Sequence, residues 1–199
     1  MYVKFGCHNA QILGIEATIF NMIKNPIYTV ADIADKLCSS TAFDGMPPAV
    51  AKRIAQVMVM REFKAGEYLR TEGQANQEQL LLVVAGNIEV SNRMPNGGGV
   101  KLRSMAKSGH ILGAIGFIDG IEHSATGRAL TDVHVAVLQR DDFVQMFQGD
   151  PGSAAQLMAG LLRLMSRRIR HDMQRILQQD AELLQLQEQV KETLQKLPA

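Results

Sequence analysis

Histidine, cysteine and arginine are the residue types through which this sequence could do chemistry. Five histidines, His8, His110, His123, His134 and His171, are potential metal donors. Imidazole–carboxylate metal centres of the His-x-His kind need paired imidazoles with a Glu nearby. No His-x-His occurs, and His110 and His134 read as turn and strand residues. Cys7 and Cys38 stand too far apart for a metal knuckle and make no disulfide framework, which fits a reducing cytoplasm. No cysteine cluster offers an iron–sulfur site. The sequence has no Gly-x-Ser-x-Gly elbow, no phosphate-binding Gly-x-x-x-x-Gly-Lys-Ser/Thr loop and no His-Glu-x-x-His pair. No metal, no resident cofactor and no catalytic residue is expected, and an enzyme is not the reading.

Arg163, Arg167, Arg168, Arg170 and Arg175 form a basic patch. It could contact nucleic acid, reach a phosphate in a pocket, meet a partner protein, or be a solvated face. The whole chain does not share this bias. Its 21 Lys and Arg balance 20 Asp and Glu, for a net charge of +1, which argues against a nucleic-acid coat or an acidic tail. Seven Phe, three Tyr and no Trp make a poor stacking platform for single strands. At 199 residues and 46% hydrophobic, the chain supports one domain with a core and an appendage. Met1-Tyr2-Val3-Lys4 lacks the basic start of a signal peptide, and no apolar run is long enough to span a membrane. A cytoplasmic protein is expected.

Three zones position these residues. Up to about residue 60 the pattern is helical. Ile12, Ile15, Ile19 and Ile23 share a face, and Asn25-Pro26 ends that helix. Thr29 is a fitting N-cap for Val30 to Leu37, with Asp32 at N3. Val50 to Met60 reads as a further helix. From 61 to about 150 the period is two, with turns at Ala65-Gly66, Glu72-Gly73, Ala85-Gly86, Ser108-Gly109 and the hairpin signal Asn96-Gly97. Short strands at Leu80–Val84, Asn87–Ser91, Val100–Met105 and Val133–Leu138 imply an antiparallel sandwich, barrel or roll.

From 154 onward, with Ser153 as a fitting cap, apolar residues recur every seven positions: Leu162, Ile169, Ile176, Leu183, Val190 and Leu197. Met165 and Leu186 fill d positions, while Asp172, Gln179 and Thr193 interrupt the seam. Such a helix would span roughly 65 Å at about 1.5 Å per residue, more than the domain before it can cover. Either it pairs with a second copy, as Ile and Val at a positions favour, or it folds back as a hairpin. Pairing is the expectation, with Arg168 and Arg175 at g.

The ordered pieces of the middle zone are similar to the cyclic-nucleotide-binding domain family, to which the catabolite activator protein and the protein kinase A regulatory subunit belong. They are Phe43-Asp44-Gly45-Met46-Pro47, Arg61 to Leu69, Thr71-Glu72-Gly73-Gln74, Val84 to Val90, Gly109-His110-Ile111-Leu112-Gly113, Thr131-Asp132-Val133, Asp141-Asp142-Phe143 and Asp150-Pro151. The resemblance covers about Leu37 to Arg170. It implies an α+β, mainly β, fold: an antiparallel β-roll or jelly roll with N-terminal helices and a long C-terminal helix. The domains would be 1–36, a helical extension; 37–153, the roll; and 154–199, a coiled-coil dimerisation helix.

In the family one segment holds the ligand. A short helix opens after a Gly, a Glu next to it accepts from the ribose 2′-OH, and an Arg further on pairs with the cyclic phosphate, followed by Ser or Ala. Here that segment runs from Gly113 to Thr126. Gly113, Gly116, Ser124 and Ala125 keep the scaffold and Ile115 is a further candidate, but Ala114 stands for the Glu and His123 for the Arg. Charged hydrogen bonds are worth about 1.5–3 kcal/mol each, so two lost contacts mean about two to four decades of affinity. Ordinary cyclic AMP should bind weakly or not at all. His123 could partly replace the Arg: at an unshifted pKa near 6.5 it is about a quarter protonated at pH 7, and Glu122 would raise that fraction on contact. Alignment of the C-terminal helix with the catabolite activator branch puts a base-capping position near Asp172 and Met173. That branch continues into a DNA-reading domain, whereas this sequence ends at Ala199, so no DNA-binding domain is expected. Thr29 to Leu37 is similar to the first helix of a helix-turn-helix, but Ser39 to Pro48 is too short and Pro-rich for a recognition helix.

The resulting expectation is a homodimeric regulatory module, with a possible small cyclic nucleotide as ligand and an unknown downstream protein. The alternatives are a ligand-free interaction dimer, or a binder of another nucleotide such as a cyclic dinucleotide.

Overall fold

The computed structural model of the protein describes residues 28–75, 78–95 and 98–195. The Ile12–Ile23 helix, the Asn96-Gly97 turn and Leu197 fall outside them. Helix α1 (Val30–Ser39) starts as its residues dictate: Thr29 and Asp32 cap each other reciprocally, with the Thr29 N–H donating to Asp32 Oδ2 at 2.7 Å. A 3-10 turn (Thr41–Phe43) follows, then α2 (Pro48–Gln56). The helix expected through Met60 stops at Gln56 instead. Val59 and Met60 begin strand β1 (Val59–Phe63), where they pair with Val137 and Ala136. Tertiary pairing wins over the local helical pattern there.

The remaining strands are β2 (Tyr68–Arg70), β3 (Gln79–Ala85), β4 (Asn87–Arg93), β5 (Val100–Lys107), β6 (Ile111–Leu112), β7 (Thr126–Ala129) and β8 (Val133–Gln139). Helix α3 (Ala114–Asp119) lies between β6 and β7; α4 (Arg140–Gly149) and α5 (Pro151–Gln195) follow β8. The strands form two antiparallel four-stranded sheets, ordered β1-β8-β3-β6 and β2-β7-β4-β5. This is the expected antiparallel roll.

The central strands of the first sheet, β3 and β8, are buried on both faces, which explains why β3 is an unbroken apolar run rather than an alternating one. Leu81 and Val83 face the second sheet, packing with Val133, Val135, Val137 and Ile88. Leu80, Leu82 and Val84 face the helices, packing with Ile33, Leu37, Ile54, Leu157 and Leu161. Both proposed domain limits fall within this second cluster: residue 37 is inside α1, and Ala154, Leu157 and Leu161 of α5 are fully buried in it.

Helix α5 begins at Pro151, three residues earlier than expected, and Ser153 is inside it. Asp150 does the capping: its carboxylate accepts from the Ser153 N–H (3.1 Å) and hydroxyl (2.6 Å), and Pro suits the first helical position. Gly160 lets α5 meet the 3-10 turn, because a Cβ there would strike the Phe43 ring, 2.7 Å from Cε1. Past this anchor the apolar stripe of the helix loses its cover. Leu162, Ile169, Ile176, Leu183, Leu186 and Val190 are each more than half exposed, while Met165 is half-buried. Among the described residues no helix is long and apolar enough to cross a membrane.

Candidate functional site

Against α3, β6 and β7 lies a small, partly open cavity of about 80 Å³. It collects all seven cassette residues named from the sequence: Gly113, Ala114, Ile115, Gly116, His123, Ser124 and Ala125. Gly113 starts α3 with φ +82°. A Cβ on it would collide with the Gln79 carbonyl and stand 2.6 and 2.9 Å from the two terminal nitrogens of Arg70. The backbone thus has glycine's conformation and glycine's clearance at the point where a guanidinium lies against it.

Arg70, which the sequence reading overlooked as a site residue, lines the same cavity. Regular pairing of β2 with β7 would oppose Arg70 to Thr126, given Tyr68 opposite Arg128. The register instead shifts by one, and Arg70 opposes Gly127. A bulge of this kind re-aims a side chain. The Arg70 stem runs past Gly127, where an added Cβ would sit 3.5 Å from Cγ. Its Nε is buried without a hydrogen-bond partner, and the guanidinium has no ion pair among the described residues. Burial lowers its pKa to about 10, which still leaves it charged at neutral pH.

The second cation is Arg168 of α5. It is exposed as a residue, yet its Nη2 donates to the Ile111 carbonyl oxygen at 2.9 Å and it lines the cavity. Among the described residues the cavity wall contains no Asp or Glu. His123 is held in place by its backbone, which exchanges hydrogen bonds with Gly73 and Gln74 (2.9 and 3.0 Å). Burial and then the Arg70 charge push its imidazole below the usual histidine range. Glu122, which would have raised it on contact, is not among these influences, and the lowered pKa favours the neutral ring near pH 7, a poorer phosphate partner than Arg.

Asp172 and Met173 do not reach the cavity. The Asp172 carboxylate is engaged by Arg103 Nη2 (3.3 and 3.2 Å), and Met173 is exposed. That ion pair closes a polar chain. Asn92 Nδ2 donates to the Ser124 carbonyl (2.6 Å) and to Glu72 Oε1 (3.0 Å), while Asn92 Oδ1 accepts from Arg103 Nη1 at 3.4 Å. The cavity wall at Ser124 is thereby joined through β4 and β5 to α5. Arg167 reaches the Thr41 carbonyl, so part of the basic patch docks α5 on its own domain.

Residues 60–150 match the sequence model of the cyclic nucleotide-binding domain family. They are a domain of that family. Solved structures agree. A cyclic nucleotide-binding domain from Methylobacillus flagellatus is 26% identical, with a TM-score of 0.67 over 75% of this chain and 83% of that one. The catabolite activator protein of Thermus thermophilus is 23% identical, with a TM-score of 0.60 over 73% of this chain and 62% of that one. The protein kinase A regulatory domain of Toxoplasma gondii, solved with cAMP, is 19% identical, with a TM-score of 0.58 over 71% and 50%. The last two show the fold alone. No curated protein sequence matches the chain. Within this cyclic nucleotide-binding domain the cassette lacks the family-type carboxylate and guanidinium at Ala114 and His123, and its pocket cations come from β2 and α5 instead. A charged residue within the short strand Tyr68-Leu69-Arg70 was the signal for Arg70. Strict alternation with the inward-packed Leu69 would turn it outward, and only the bulge reverses that.

Proposed function

We propose that the protein is a ligand-responsive regulatory module whose output is helix α5. One observation carries this reading: Arg168 is at once a wall of the cavity and part of the helix whose exposed apolar stripe begins at Leu162. A ligand that competes for the Arg168 guanidinium changes how α5 is held against Ile111. It can thereby alter pairing of the stripe with a second copy, and pairing is the signal a downstream protein reads. The module binds and does not catalyse, and the scarcity of cysteine suits a cytoplasmic setting. Ordinary cyclic AMP binds weakly, because Ala114 has no polar group for a ribose hydroxyl and His123 is neutral.

The test is sedimentation and thermal denaturation of the full chain against cyclic mononucleotides, cyclic dinucleotides and linear nucleotides. A true ligand at ~100 times its Kd stabilises by about 2.7 kcal/mol and shifts the monomer–dimer midpoint. A dimer indifferent to every nucleotide would make the protein a ligand-free interaction module. Submicromolar cyclic AMP binding would overturn the account of the cassette.

A further inference from the structure

The cavity's charge is uncompensated. Among the described residues two guanidiniums line it and no carboxylate does, and the Arg70 Nε is buried with no hydrogen-bond partner. A cation that stays charged and is withdrawn from water needs an anion, and none of the described lining residues supplies one.

We propose that the cavity binds a dianionic phosphate group, free or as a phosphomonoester, with Arg70 on β2 as its principal contact and Arg168 on α5 as the second. This deepens the regulatory reading and rests on it only in using the same cavity. Charge decides the class. A cyclic phosphodiester brings one negative charge and leaves one of the two guanidiniums unmatched. A phosphomonoester carries about −1.5 to −2 at pH 7 and matches both. Hydrogen-bond capacity agrees. A guanidinium has five N–H donors in a fork suited to phosphate oxygens; Arg168 uses one on Ile111, and Arg70 uses none among the described residues. Ser124 and Thr126, each with a hydroxyl, are also lining residues. Thr126 Oγ1 accepts from the Glu72 N–H (3.1 Å), which leaves its own proton to donate. The rest of the lining offers nothing comparable for reading a ribose: Val90, Leu112, Ala114, Ile115 and Ala125 are apolar, and His123 is held neutral.

The experiment titrates the full chain with inorganic phosphate, 5′-AMP and cyclic AMP by calorimetry at constant ionic strength, in the wild type, Arg70→Gln and Arg70→Lys. Saturable binding of phosphate or 5′-AMP at least tenfold tighter than cyclic AMP is expected. Arg70→Gln should weaken it tenfold or more, with partial recovery in Arg70→Lys. Phosphate binding without 5′-AMP binding names the free ion as ligand; tighter 5′-AMP binding names the ester. Cyclic AMP binding as tight as 5′-AMP, no saturable binding of either phosphate, or an affinity unchanged in Arg70→Gln overturns the proposal. Should Arg70→Gln fail to fold, the Arg70 Nε–H resonance of the wild type decides: it must move on titration with the tighter-binding phosphate, and an unmoved resonance overturns the assignment. Sedimentation of the same samples separates the two proposals. Binding that depends on Arg70 while the oligomeric state stays constant ends the coupling to α5 and keeps the phosphate site.

Discussion

Helix α5 is one continuous element with two unlike stretches. From Ala154 to Leu161 its inward residues are fully buried between the first sheet and α1 and α2. From Ile176 to Val190 its apolar residues are all more than half exposed. Hydrophobicity along the sequence does not distinguish the stretches, since Leu157 and Leu183 are the same residue in the same helix. What differs is what stands opposite. Between them, Arg168 and Asp172 tie the helix to the cavity rim and to β5. In the proposed coupling, this middle stretch is where occupancy of the cavity reaches the exposed half.

Four substitutions or conditions sharpen or break this contrast. Leu157→Ala should cost about 2–5 kcal/mol, the usual range for deleting a fully buried Leu, whereas Leu183→Ala should change monomer stability by less than about 0.5 kcal/mol. Urea denaturation at low protein concentration measures both, and comparable losses would erase the contrast. Gly160→Ala should cost about 1–3 kcal/mol, because the new methyl must displace the Phe43 ring. Increased stability there would mean that α5 is not clamped at the 3-10 turn. Arg103→Ala removes a pair whose partners are each more than two-fifths exposed, so less than about 1 kcal/mol is expected. Its main effect should be faster amide exchange around Asp172 with the core unchanged.

The fourth concerns pH. Hydrogen bonds from Ser153 and the Arg53 guanidinium hold Asp150 down to about 2 from 3.8. A lowered carboxyl pKa favours the fold above the unfolded value and loses that contribution as pH falls toward the folded one. The thermal midpoint of the wild type should therefore exceed that of Asp150→Asn at neutral pH. The gap should close between about pH 4 and 2. A gap independent of pH would assign the cap to the hydrogen bonds alone.

Much of the fold was legible in the sequence, because local rules and tertiary packing agree over most of it. Thr29 and Asp32 spell a capping box, and the turns and period-two runs spell the roll. The sequence misled where neighbours decide. Val59 and Met60 continue a helical pattern but pair with β8, and Ser153 resembles a cap but follows a better one in Asp150. The cavity's cassette could be located because the segment Gly113 to Thr126 resembles the family's ligand segment. Its electrostatics could not, since Arg70 is 43 residues before Gly113 and Arg168 is 55 after it.

The sequence by itself determined the class of fold, the segment that forms the cavity wall, the absence of a carboxylate and guanidinium at positions 114 and 123, and the heptad stripe. The fold class and the stripe depend on residue type and on spacings of a few residues, which chain geometry translates directly into faces and turns; the segment and its two departures follow from the family resemblance of Gly113 to Thr126. Only the tertiary structure decided that a one-residue register shift in β2 turns Arg70 inward, that Arg168 reaches the same cavity from the far end of the chain, and that burial and then the Arg70 charge push the His123 imidazole down. Such outcomes depend on which distant backbones come within a few ångströms, and burial then converts that proximity into charge with no partner.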